Sequence, residues 1–176
     1  MKTFLILALA ASALSCAAQA AEPAKAGHHF SFAGKRPTFK EQYVKPEVVF
    51  SSVQTAGRLS MFDEIWEPQF QAPPHLHKKH AETFYVISGK VEWTVNGEAH
   101  VLGAGDAVHI PPGAVHSTRV VGDQPMRILM ISEPGGFEES LAYEASFTAE
   151  ELKDPKLRAM LNDVADFHPA QHPKAN

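Results

Sequence analysis

The chain has 176 residues, 44% of them apolar, enough for one domain with a packed core and too few for two ordinary ones. Its formal charge of −4, with histidine counted as neutral, gives no basic surplus for nucleic acid or an anionic membrane. Thirteen prolines and eleven glycines point to many turns, the habit of an all-β domain.

Residues 1–20 read as an export signal. Lys2 supplies the positive start, Phe4 to Leu14 an apolar run too short to span a membrane, and Ala18-Gln19-Ala20 the small residues that favour cleavage after Ala20. The mature chain is therefore expected in the periplasm or outside the cell. Cys16, the single cysteine, lies inside this segment, so export needs no disulfide. The alternative is that Cys16 is itself the lipidated first residue; Ala13, standing where a leucine is usual, fits that poorly.

Residues 21–46 are polar and irregular, with Phe30, Phe32, Phe39 and Tyr43 as sparse anchors, and read as a tail followed by a strap across a barrel surface. Residues 47–140 read as the barrel. Val48-Val49-Phe50, Leu59 to Trp66 and Thr83 to Ile87 are short apolar or β-branched runs bounded by turn residues. Val91, Trp93 and Val95 alternate with Glu92, Thr94 and Asn96, the period of a half-buried strand, and Asn96-Gly97 is a hairpin signal. Further strands are expected at Ala99–Leu102, Ala107–Ile110, His116–Val121 and Met126–Ile131. Residues 141–176 change character. Thr148 and Glu151 form a capping-box pair, and Asp154 with Pro155 starts a second helix whose Leu157, Met160, Leu161 and Val164 make one apolar face. This helical pair is expected to pack outside the barrel or on a partner subunit.

The chemistry concentrates in Pro74-His75-Leu76-His77-Lys78-Lys79-His80-Ala81-Glu82. On an extended strand, side chains two apart share a face, so His75 and His77 can both enter the barrel. A turn through Lys78 to Ala81 lets Glu82 return to the same point. Two neutral imidazoles and a carboxylate suit one divalent transition ion (Fe, Mn, Co, Ni, Cu or Zn) better than Ca. The expected fourth ligand is His116, which opens a strand directly after the tight turn at Pro111-Pro112-Gly113.

These spacings resemble the two motifs of the cupin superfamily. His75-x-His77, four residues, Glu82, six residues and Gly89 match the first; Gly105, five residues, Pro111-x-Gly113, two residues and His116 match the second. Gln69 and Val120 replace a glycine and an asparagine common in those motifs, and neither position is a metal ligand. The resemblance implies an all-β double-stranded β-helix, or jelly-roll, barrel, here with an N-terminal strap and short C-terminal helices, holding one metal on His75, His77, Glu82 and His116. The wording around Pro73-Pro74-His75, Glu82 to Gly89 and Ser132 to Glu138 is similar to single-domain bacterial cupins of the quercetin 2,3-dioxygenase kind. That implies a substrate that is a small enolisable or phenolic molecule, with Glu82 doubling as ligand and catalytic base, and a homodimer. The alternative is a periplasmic small-molecule- or metal-binding module without turnover, because one barrel hosts many functions. His80 is expected to face solvent from its turn, His109 is a candidate pocket residue, and His28, His29, His100, His168 and His172 read as exposed. Phe70, Phe84 and Trp93 read as core, with a pocket wall as the alternative.

Overall fold

The computed structural model describes residues 27–173 other than Lys40; residues 1–20, expected to be an export signal, and Cys16 among them lie outside the described residues. Among the described residues, ten strands form two antiparallel five-stranded sheets. The first runs in the order β1 (Val44–Phe50), β2 (Ser60–Trp66), β9 (Met126–Glu133), β4 (Ala81–Ser88), β7 (Ala107–Ile110). The second runs β10 (His168–Pro169), β3 (Gln71–Leu76), β8 (His116–Val120), β5 (Lys90–Val95), β6 (Glu98–Gly103). This is the jelly-roll arrangement, in which each sheet covers the other's apolar face.

The strands form where the alternation is strongest. In β9, Met126, Ile128, Met130 and Ser132 point inward and are buried, while Arg127 and Glu133 are exposed. Its central place, between β2 and β4, explains why both of its edges are paired along nearly the whole length. The hairpin between β5 and β6 turns on Asn96 and Gly97 alone, with φ of 49° and 89°, as a two-residue turn of this hand requires. Gly89 allows a close crossing: a Cβ there would lie 2.5 Å from that of Met126.

The elements depart from the sequence reading in three places. β1 starts at Val44 rather than at residue 47, because Val44, Pro46 and Val48 all point into the core. β1 is an edge strand, so Pro46 forfeits no ladder bond that a second neighbour would need. A helix α1 (Phe137–Glu144) was not expected. It is held by tertiary contacts: the Glu138 carboxylate accepts from Ser52 N–H (2.6 Å) and from the Ser60 hydroxyl. Gly135 beside it touches Leu59 so closely that a Cβ would sit 2.6 Å from that residue's carbonyl carbon. Third, the capping box of Thr148 and Glu151 does form, but heads a three-residue 3-10 turn (Glu151–Lys153). Asp154, extended because a proline follows, ends it and caps α2 (Pro155–Val164) by accepting from Lys156 N–H at 2.8 Å. Among the described residues no helix is long and apolar enough to cross a membrane.

The strap is fastened electrostatically. Arg36 reaches Asp63 (3.0 Å), which also takes both arms of Arg127 (2.8 and 2.7 Å). The Arg127 hydrogen bond, opposed by partial burial, holds the Asp63 carboxyl below its usual range. The barrel core is built from Phe62, Trp66, Phe84, Val86, Val91, Trp93, Ile128 and Met130, all nearly inaccessible. α1 adds Phe137, edge-on to Phe62 at 5.8 Å.

Candidate metal centre

Both sheets contribute to one point inside the barrel. β3 carries His75, and the residue just beyond its end is His77; β8 opens with His116; β4 brings Glu82 from the opposite sheet. A register shift between Ala72 and His75 lets the two prolines pass and sets His75 directly opposite His116. The Pro111–Gly113 turn is tied to the first motif through Gly113 N–H, which donates to the His77 carbonyl at 2.7 Å. All four side chains are buried, with one candidate donor atom from each within 4.8 Å of the others.

The imidazoles are oriented for coordination. Each ring's Nδ1 lies against a backbone carbonyl: Pro73 for His75 (2.7 Å), Asp166 for His77 (3.0 Å) and Ala114 for His116 (3.0 Å). A carbonyl accepts only, so each Nδ1 carries the proton, and in the neutral ring Nε2 keeps its lone pair. His77 Nε2 and His116 Nε2 then face Glu82 Oε2 at 3.4 and 3.2 Å. His116 Nε2 is buried without a hydrogen-bond partner. Lone pairs converging on a carboxylate in a dry site repel one another unless a cation lies among them. Bonds of about 2.1 Å to one ion separate neighbouring donors by about 3.0–3.4 Å, the spacing of His77 and His116 from Glu82, while all four donors lie within 4.8 Å of one another. The residues therefore fit a divalent ion.

Ionisation supports this. Burial, with the neighbouring His116, lowers His75 to about 3, so it is neutral and ready to ligate. For Glu82, burial favours the neutral acid, but His116 and His77 outweigh it and hold the carboxyl well below its ordinary range. Burial also opposes a charge on His77, yet the Glu82 carboxylate prevails and raises it. Without an ion, the Glu82 carboxylate thus favours a proton on His77, which would compete with a metal for the same nitrogen.

Some histidines lie elsewhere than expected. His80 is buried rather than solvent-facing, with Nδ1 3.4 Å from Asp166 Oδ2 and Nε2 3.9 Å from Glu82 Oε1. The cause is tertiary: the segment after α2 folds back over the motif. There Asp166 also accepts from Lys79 N–H (2.6 Å), and Phe167 stacks on His75 at 4.1 Å. No local signal marked these residues. His109 points outward and meets Thr83 Oγ1 at 2.9 Å, so it lines no part of this site. His172, expected to be exposed, meets Ser117 Oγ at 2.9 Å.

Beside the cluster opens a cavity of about 1190 Å³ whose wall includes Phe70, Phe84, Trp93, Trp66 and Glu64. The aromatics thus serve as core and pocket wall at once. Glu64 was legible in principle as the one acid on the inward face of Phe62-Glu64-Trp66.

The family model described as a cupin domain matches residues 62–132. An uncharacterized protein of Methanocaldococcus jannaschii is 32% identical over 95 residues, covering 54% of this chain and 76% of that protein. Quercetin 2,3-dioxygenase of Bacillus subtilis is 34% identical over 64 residues, covering 36% of this chain and 19% of the enzyme. The chain thus corresponds to about a fifth of that enzyme's length. Among solved structures, KdgF from a Halomonas species superposes with a TM-score of 0.56 at 19% identity, over 63% of this chain and 99% of that one.

Proposed function

The chain belongs to the cupin superfamily, and from that premise we propose that it is an exported, metal-dependent dioxygenase of the quercetinase kind, acting on a small enolisable or phenolic molecule. One observation carries the reading: three proton-directed imidazoles and an ionised glutamate converge at the wall of an aromatic cavity large enough for a drug-sized ligand. The similarity to quercetin dioxygenases supports the reaction class.

A divalent ion on His75, His77, Glu82 and His116 would supply Lewis acidity, lowering the pKa of a bound enol or phenol. The two Glu82 oxygens divide the work. Oε2 faces His77 and His116, whereas Oε1 faces His80 Nε2 and is free to accept the substrate's proton. Burial lowers His80, so the ring is neutral, and its Nε2, buried without a partner, can take that proton onward. Phe84, Trp93 and Phe70 present flat faces to an aromatic substrate and exclude water.

The test is O2 consumption by metal-reconstituted protein with flavonols, catechols and β-diketones. Glu82→Gln should keep much of the metal and lose most turnover, since an amide ligates weakly and accepts no proton. Absence of O2 uptake with every substrate class, together with reversible binding of one of them, selects the second reading, a binding module without turnover. The observation favouring that reading is the cover formed by Asp166 and Phe167 over the histidines. Export is tested separately: the mature protein should start at Ala21 and appear in the periplasm or medium, and an intact Met1 in the native host would refute it.

A further inference from the structure

Glu64 is an acid set in the wall of the cavity beside the histidine cluster. Its side chain is buried (6% exposed), on the inward face of β2 between Phe62 and Trp66. Trp66 Nε1–H donates to its Oε2 at 2.6 Å. Oε1 makes no hydrogen bond among the described residues, and the side chain lines the cavity beside the histidine cluster.

Among the described residues, the charges around it offer no counterion. Glu41 from the strap, Glu82 from β4 and Glu144 from α1 line the same cavity, as do Lys153 and Arg158 from its helical side. Arg158 is taken by Glu144 at 2.7 Å and Lys153 by Glu150 at 2.6 Å. Burial above all, with Glu41, Glu82 and Asp63 adding repulsion, pushes the Glu64 carboxyl up to about 8, although the Trp66 bond pulls it down. A neutral carboxylic acid accepts at one oxygen and donates from the other. With Oε2 occupied by Trp66, the donor is Oε1.

An aromatic wall joins this donor to the metal centre. His116 lies 6.1 Å from Trp93, Trp93 lies 6.1 Å from Trp66, and Phe84 packs on both tryptophans at 4.6 and 5.9 Å. Trp93 Nε1 is also buried without a partner, so the wall holds a second donor in want of an acceptor. Glu64, beside Trp66, and the histidines, beside Trp93, line the same cavity, so a flat ligand along this wall could meet both.

We propose that Glu64 is a specificity-determining residue whose Oε1 hydroxyl donates a hydrogen bond to an acceptor oxygen at the far end of an aromatic, oxygenated small molecule. The proposal rests on the oxygenase reading only for placing the enolic or phenolic end at His75, His77, Glu82 and His116.

The experiment uses Zn(II)-loaded full-length protein, in which binding proceeds without redox turnover. The chain's two tryptophans, Trp66 and Trp93, both line the cavity and report binding by fluorescence quenching. The probes are quercetin, which carries remote oxygens, and catechol, which has none. Glu64→Leu should weaken quercetin about tenfold, the loss of one buried hydrogen bond, and leave catechol unchanged. Glu64→Gln, a neutral donor of the same shape, should stay within about threefold of wild type for both probes. An infrared band of a protonated carboxyl at pH 6 that Glu64→Gln removes, distinct from that of Glu41, which burial pushes up to about 7, should confirm the donor without any ligand. Unchanged quercetin affinity in Glu64→Leu, equal losses in both variants, no quercetin binding by wild type, or no such band would each overturn the assignment. Quercetin binding that depends on Glu64 without O2 uptake by the enzyme loaded with a redox-active metal would instead remove the oxygenase reading alone.

Discussion

At the residue scale, the centre is governed by competition between a metal and a proton. Glu82 raises His77 above its ordinary value despite burial, so a proton on His77 is favoured when no ion is present. A raised histidine is protonated at higher pH than a free one, whose pKa is about 6.5. Metal affinity should therefore begin to fall while the pH is still above 6.5, and keep falling as acid is added. His75 does not add to this loss until far lower pH, since burial lowers it to about 3. Calorimetric titration with Zn(II) from pH 8 to pH 5 measures the effect, and each ion bound should release protons. An affinity constant across that range would show that His77 is not a ligand. The double variant His75→Ala/His77→Ala should bring bound metal, by elemental analysis, close to zero.

At the scale of elements, the metal centre depends on a segment distant in sequence. Asp166, at a φ of 54°, turns the chain after α2. Its carbonyl orients His77, its carboxylate holds Lys79 N–H, and β10 then pairs with β3 at His75 and Leu76. Carbonyls that fix a ligand's tautomer typically matter 10- to 100-fold in metal affinity. Asp166→Ala should release the segment and weaken Zn(II) binding by about tenfold, while Asp166→Asn, which can still accept from Lys79, should lose less. Chelator competition separates the two variants; equal affinity in all three proteins would mean the cover is passive. The row of three ion pairs Glu47–Arg36–Asp63–Arg127 plays the corresponding part for the strap.

At the scale of the whole molecule, the barrel and not the ion carries the fold. Two sheets close over a continuous apolar core, so metal removal should lower the melting temperature without abolishing cooperative unfolding. A chelated protein whose β-sheet circular dichroism vanished at 25 °C would contradict this. Glu64 imposes its own signature on stability. Its folded pKa of about 8 exceeds the ordinary value of 4.5, so between these limits the folded chain holds a proton that the unfolded chain has released. Stability must then fall as pH rises through that window, at up to about 1.4 kcal/mol per unit. Glu64→Gln abolishes that slope, so its melting temperature should gain on wild type steadily from pH 5 to pH 8. Parallel melting curves across that range would show Glu64 to be an ordinary, ionised acid.

Strands, hairpin and the convergence of the clustered side chains were legible in the sequence because each rests on local signals. Alternation in Val91-Trp93-Val95 and the turn chemistry of Asn96-Gly97 act over a few residues, and His75, His77 and Glu82 share one strand-turn-strand. His116 was legible through the turn that precedes it. Only the tertiary structure decided the rest. The burial of His80, the carbonyl behind His77 and the ring stacked on His75 all come from residues 166–167, whose local sequence has no period pointing inward. α1 likewise owes its place to Glu138 reaching Ser52 and Ser60 more than seventy positions away. Glu64 stands between the two cases: alternation turns it inward, but whether an inward acid is neutral depends on the dielectric and charges that the closed barrel assembles around it.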